Sequence, residues 1–214
     1  MSLVLLTGAT KQMADVLEAS LPSKIKYCRK YGYDLKVITL TEKDKVFGCR
    51  IGFERMNRAF QQMKEYDACL WLDADSFVTN FDYPVSSFIT EDCTFIASLD
   101  WTECETISTG NFVIRNTNNT EYLYNKFIEL GTKEFLDHPE QEQITLNQIR
   151  KELPHLFLDV HRKYLNAVPE IVKNYRSEEE RDIVYPWDET CFIAHLTTIP
   201  NDSRIQIMKK MLTS

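Results

Sequence analysis

No run of apolar residues in this 214-residue sequence approaches the roughly 20 that a membrane-spanning helix needs, so no membrane segment is expected. The opening Met-Ser-Leu-Val-Leu-Leu-Thr-Gly has no basic n-region and is too short for a secretory leader, which points to a cytoplasmic setting. Positive charge is in deficit. Lys and Arg number 25 against 32 Asp and Glu, leaving a net charge of −7, whereas a nucleic-acid-binding protein normally shows a basic face. A small anionic substrate stays compatible if a cation or a few Arg and Lys residues neutralise it locally. The six cysteines include no Cys-x-x-Cys pair, and Cys69 and Cys191 lie in apolar runs, so reduced thiols fit better than a disulfide framework. Without a leader, the Asn-x-Ser/Thr triplets at Asn118 and Asn201 read as chance matches. There is no internal repeat, low-complexity segment or linker, so residues 1–214 are expected to form one domain.

What is present is an ordinary globular composition, 43% hydrophobic and 27% charged, arranged in β/α alternation. Leu3 to Leu6 reads as a strand closed by Thr7-Gly8. Residues 10–30 read as helix, with Pro22 marking a candidate break. Asp34 to Leu40 is a second strand, Thr41 to Gly48 a charged loop, and 49–65 an amphipathic helix carrying Ile51, Phe53, Met56, Phe60 and Met63. Ala68 to Leu72 is a short apolar run of the kind that forms a buried strand. Three such alternations imply a parallel sheet with helices packed on it. Further strands are expected at Thr94–Leu99, Ser108–Arg115, Phe157–Val160, Tyr164-Leu165, Ile183–Tyr185 and Cys191–Leu196. Helices are expected at about 119–131, ending on Gly131 as a C′ residue, at 139–151 and at 202–213.

The Ala68–Leu72 run stops at Asp73-Ala74-Asp75. In an open α/β sheet this places two carboxylates at the carboxyl-end rim, where ligands bind. Their hard oxygens suit Mg²⁺ or Mn²⁺ with phosphates completing the shell. An isolated Asp-x-Asp is also common in plain turns, so its surroundings decide. A reaction on a nucleoside diphosphate sugar needs its pyrophosphate gripped and its leaving charge neutralised, and a divalent cation does this with few protein ligands. His195 is the candidate third ligand, since it stands in an apolar strand that does not need a histidine for packing.

The order of these segments resembles the nucleotide-sugar-dependent glycosyltransferases of the GT-A fold. Thr7-Gly8-Ala9 resembles their nucleoside-binding entry, and Tyr27-Cys-Arg-Lys-Tyr-Gly-Tyr-Asp34 resembles their lead into the second strand. Ser108-Thr109-Gly110-Asn111 resembles the Asn-[Thr/Ala]-Gly strand, with Ser108 replacing the usual Asn. Glu142-Gln143-Ile-Thr-Leu-Asn147 resembles the Asp-Gln-x-x-Leu helix start, with Glu in place of Asp, and Tyr164-Leu-Asn166-Ala-Val-Pro169 resembles the Phe-Asn-x-x-Pro segment. The nearest likeness is to the galactosyl- and xylosyl-transferase branch. It implies a Rossmann-like mixed α/β sheet with helices on both faces, a UDP-linked sugar donor, a glycan or glycoprotein acceptor, and retention at the anomeric carbon. It also implies a division between a nucleotide-binding part, 1–80, and a sugar- and acceptor-binding part, 81–214.

On that resemblance Asp73, Asp75 and His195 hold Mn²⁺ or Mg²⁺. Thr7, Gly8 and Ala9 frame base and ribose, Ala74 lets the backbone approach the ribose, and Arg50 reaches a phosphate or the base. Asp100 and Glu142 hold sugar hydroxyls or assist the reaction, Asn111 and Gln143 position the donor sugar, and Trp101 offers a stacking face. An inverting enzyme would need a carboxylate base, and Asp100 could serve.

Rival readings have definite gaps. Val-Leu-Leu-Thr-Gly-Ala-Thr with Tyr122 and Lys126 imitates a short-chain dehydrogenase, but no second glycine follows Gly8 for the dinucleotide turn. Leu-Trp-Leu-Asp-Ala-Asp imitates a haloacid-dehalogenase-type phosphatase with Asp73 as nucleophile, yet no later acidic pair ends a strand. An EF-hand would want Gly where Val78 stands and Glu where Pro84 stands. A domain that binds a nucleotide sugar or glycan without catalysis is a further alternative.

Overall fold

The computed structural model describes residues 1–41, 51–89, 93–100, 105–135, 137–175 and 185–213. The expectations for the 41–48 loop and for Arg50, Trp101 and the strand at 183–185 fall largely or wholly outside these residues.

In chain order the elements are β1 (Leu3–Ala9), α1 (Ala14–Tyr31), β2 (Asp34–Thr39), α2 (Ile51–Gln61), β3 (Ala68–Leu72), β4 (Ser76–Val78), β5 (Phe95–Leu99), β6 (Ile107–Arg115), α3 (Thr120–Lys133), α4 (Gln141–Glu152), β7 (Phe157–Val160), the one-turn helices α5 (Arg162–Leu165) and α6 (Glu170–Lys173), β8 (Ile193–His195) and α7 (Asn201–Thr213). Six strands form a mixed sheet in the order β2-β1-β3-β6-β5-β7. The first three are parallel, as the β/α alternation requires, and β6 enters antiparallel between β3 and β5. A separate two-stranded ribbon pairs β4 with β8, setting Ser76 opposite His195.

Alternation along the strands builds the two faces. Val4, Leu6, Cys69, Trp71, Phe112 and Ile114 pack with Phe53, Met56 and Phe60 of α2, Leu123 and Phe127 of α3, and Leu146 and Ile149 of α4. Leu3, Leu5, Leu70, Leu72 and Val113 point the other way, onto Tyr27 of α1, Phe88 and Phe192. A smaller cluster of Val16, Phe77, Leu196 and Met208 ties α1 to α7. A mixed sheet with helices on both faces is the architecture that the resemblance implies.

Several local expectations are corrected. α1 runs unbroken through Pro22. Val16, Leu17, Lys24 and Tyr27 are buried on both sides of the proline, and their packing outweighs one lost backbone bond. Gly131 does not end α3, which continues to Lys133. It is buried, and a Cβ there would stand 2.3 Å from Phe53 Cε1, so its role is close helix packing. Tyr164-Leu165 is helical, because His161 caps the turn by accepting from the Lys163 amide. β4 is too short and too polar at Ser76 for its pattern to announce it.

Candidate active site

The site begins where β3 ends. The Asp73 amide donates to Gly110 O at 3.1 Å and lies 3.3 Å from Asn111 Oδ1, while the Ser76 amide closes a turn on Asp73 O at 3.0 Å. From behind, the buried Lys24 Nζ donates to Asp73 O at 3.0 Å and to Ser20 Oγ at 2.7 Å. Burial pushes the Lys24 ammonium down to about 7, against the pull of Asp75 and Asp73. The turn holding both carboxylates is therefore fixed by backbone, side chain and a buried lysine together.

Asp73, Asp75 and His195 each offer a ligand atom, and the three atoms lie within 4.8 Å of one another. His195 reaches the pair because β8 lies alongside β4. Its Nδ1 is 3.0 Å from Asn166 Oδ1, and the Asn166 amide nitrogen is committed to Leu99 O. Nδ1 therefore carries the proton and Nε2 faces the carboxylates, the arrangement of a metal-ligating imidazole with its outer partner. Gly110 leaves the space they need: a Cβ there would stand 2.7 Å from His195 Cε1 and 3.2 Å from Asp73 Oδ2. Two carboxylates and an oriented imidazole around such a cradle fit a small divalent cation.

Burial alone would raise the Asp75 carboxyl. His195, Arg204 and Lys24 outweigh it and hold the carboxyl at about 2. His195 is raised in turn, with Asp75 and Asp73 overcoming a burial effect that acts the other way.

Arg55, in α2, completes the floor. Its Nη1 lies 2.7 and 2.8 Å from the two Asp73 oxygens, and its Nη2 contacts Glu142 Oε1 and donates to Thr109 Oγ1 at 3.1 Å. Burial disfavours its charge, but Asp73 and Glu142 more than restore it. Its Nε is buried without a partner among the described residues. Thr109 Oγ1 also donates to Glu142 at 3.0 Å, and Gln143 Nε2 donates to Asp100 Oδ2 at 2.8 Å. Asp73, Arg55, Glu142, Thr109, Gln143 and Asp100 thus form one connected polar wall.

The structure brings together most of the residues singled out by sequence. Gly8, Ala9, Asp73, Ala74 and Asp75 line a cleft of about 360 Å³ with Met13, Leu40, Ile51 and Arg55. Thr7 and Asn111 are buried and engaged in holding the sheet: Thr7 Oγ1 donates to Leu72 O at 2.7 Å, and Asn111 Nδ2 to Leu165 O at 3.0 Å. Arg50 lies outside the described residues. Sequence reasoning missed Arg55, Lys24 and Arg204. Only Arg55 left a signal, a cation one helical turn beyond Ile51 on the face that meets the cleft.

Against known proteins, the sequence model of the galactosyl transferase GMA12/MNN10 family matches residues 2–93, from β1 through the Asp73–Asp75 turn. No curated protein sequence matches the chain. Among solved structures, a glycosyltransferase involved in glycosylation of the major capsid of PBCV-1 superposes with a TM-score of 0.71 at 19% identity, covering 98% of this chain and 100% of that one. The galactosyltransferase LgtC, in complex with donor and acceptor sugar analogues, gives a TM-score of 0.58 at 14% identity, covering 98% and 95%. Mouse xyloside xylosyltransferase 1 gives 0.57 at 12% identity, covering 94% and 100%. Along essentially its whole length, then, the chain has the fold of the GT-A glycosyltransferases, and its first β/α units match the galactosyl transferase family.

Proposed function

We propose that this chain is a metal-dependent glycosyltransferase that moves a sugar from a UDP-linked donor to a glycan or glycoprotein acceptor with retention at the anomeric carbon. The observation that carries this reading is the Asp73–Asp75–His195 cluster, whose two carboxylates line the cleft and for which Gly110 leaves room. Mn²⁺ or Mg²⁺ held there would supply Lewis-acid neutralisation of the leaving diphosphate.

The chain's own residues have separable tasks. Gly8 and Ala9 form the cleft wall against which base and ribose would lie, and Ala74 keeps the backbone between the carboxylates open to the ribose. Arg55, Asp73 and Glu142 present a fixed charged edge to the donor sugar, and Gln143 holds Asp100 toward the same wall. Thr7 and Asn111 position this edge through the sheet. The division between a nucleotide part, 1–80, and a sugar and acceptor part, 81–214, is then one of emphasis: Arg55 and Asp73 of the first part reach the sugar edge, and His195 of the second completes the cation cluster. No membrane-crossing helix occurs among the described residues. The phosphatase alternative is disfavoured by Asp73 itself, whose oxygens are held by Arg55 Nη1 and, at 2.7 Å, by Trp71 Nε1. A nucleophile so paired is blunted.

The test is calorimetric titration of UDP with and without Mn²⁺. Binding should need the metal, and Asp75→Ala should abolish it. Undiminished metal-dependent binding in that variant would refute the site. A panel of UDP-sugars should then show slow UDP release to water. Donor binding with no turnover at all, to acceptor or to water, would mark a binding domain instead.

A further inference from the structure

Both carboxylates of the pair already hold an arginine. Arg55 takes the two oxygens of Asp73, and Arg204 Nη2 stands 3.3 Å from Asp75 Oδ2. Arg204 comes from the first turn of α7, far along the chain from both β3 and the Gly8–Met13 wall. Its Nε donates to Leu196 O at 2.8 Å, its Nη1 to Asn201 Oδ1 at 2.8 Å, and Nη1 also lies 3.6 Å from Met13 Sδ. Met13 and Asp75 both line the cleft, so the guanidinium sits where that wall meets the ligand pair. Asn201 Nδ2 donates to Gln12 O at 3.1 Å and fixes the start of α7 against the same wall.

A cation entering between Asp75 and His195 would bring charge of the same sign beside Arg204 and compete with it for Asp75. A diphosphate on that cation would offer the displaced guanidinium oxygens of opposite sign, and a planar fork suits them. Resting on the metal and diphosphate reading of the site, we propose that Arg204 is a transferable counter-ion: it pairs with Asp75 when the site holds no metal, passes to the donor's diphosphate when metal is bound, and so makes metal and nucleotide binding mutually reinforcing. Lys24 cannot make this transfer, since its ammonium is enclosed behind the turn on Asp73 O and Ser20 Oγ. Arg204 is a positioning residue for the ligands and takes no part in bond making.

The two halves of the proposal have opposite signs in one variant. In Arg204→Gln, Mn²⁺ alone should bind more tightly than in the wild type, because its competitor is gone. UDP at saturating Mn²⁺ should bind about tenfold more weakly, and the reciprocal enhancement of each ligand by the other should shrink toward one. Calorimetry of Mn²⁺ alone, UDP alone and the two together measures all three. A variant with unchanged or weaker Mn²⁺ affinity and wild-type coupling would overturn the proposal while leaving the site reading intact. A wild-type protein that binds neither Mn²⁺ nor UDP would overturn both. A second measurement needs no variant. Phenylglyoxal labelling of wild-type Arg204, read by peptide mass spectrometry, should rise with Mn²⁺ alone and fall when UDP is added with it. Labelling that neither ligand moves would refute the transfer.

Discussion

Gly110 and His195 are in such close apposition that a methyl group on the glycine would stand 2.7 Å from the imidazole Cε1. Gly110 is not in the left-handed region of backbone space, so the requirement is for room and not for an unusual turn. Gly110→Ala should leave the sheet intact, with an unchanged far-ultraviolet circular dichroism spectrum, while pushing His195 off the carboxylates. Mn²⁺ affinity should drop by at least about tenfold, the scale seen when a ligand's orientation is disturbed. Wild-type Mn²⁺ affinity in that variant would show that His195 is not a ligand.

Arg55 joins Asp73 to Glu142, with side-chain exposures of 15% for Arg55 and 22% and 8% for the two acids. Its removal leaves two poorly solvated carboxylates without the cation they share. Arg55→Ala should therefore cost about 3 kcal/mol of stability. Adding Glu142→Gln to that variant should recover part of the loss, because one of the stranded charges is gone. Urea denaturation of the two single variants and the double variant, followed by tryptophan fluorescence, gives the coupling. A double variant less stable than Arg55→Ala would contradict this account.

The contact between Gly131 and Phe53 joins α3 to α2 behind the polar wall. Gly131→Ala raises helix propensity but forces Phe53 aside, so overpacking should win and lower stability by about 1–3 kcal/mol. A thermal melt settles the sign: a stabilised protein would mean that Phe53 moves freely.

Burial lifts the Cys28 thiol to about 12, with Asp34 adding to the effect, and lifts Cys69 further in the same direction. At pH 8 only about one Cys28 thiol in ten thousand is then ionised. Iodoacetamide should leave both unmodified in the native protein at that pH and alkylate both in urea, as read by peptide mass spectrometry. Rapid native labelling of Cys28 would mean that the α1–β2 corner opens readily.

The sheet and the Asp73–Asp75–His195 cluster were legible because each depends on a local pattern. An apolar run stopping at Asp73 and Asp75 marks a strand end, and an imidazole in the apolar run before Leu196 marks an exception to packing. The polar wall was only half legible. Asp100, Glu142 and Gln143 stood out as residue types, but the cation joining them to Asp73 is Arg55, which is 87 residues from Glu142. No sequence spacing announces such a pairing. Lys24 was invisible for another reason: lysine is read as a surface residue, and only the turn it supports explains why this one is fully buried. Tyr164-Leu165 misled because an aromatic-aliphatic pair favours strand until a neighbouring histidine caps a helical turn over it.

The pairing of Ser76 with His195 has a consequence for biosynthesis. Asp73 and Asp75 leave the ribosome well before His195 and the strand that closes β4, and Arg204 and α7 follow. On the proposed metal reading, the cation site is therefore complete only once β8 has folded back onto β4.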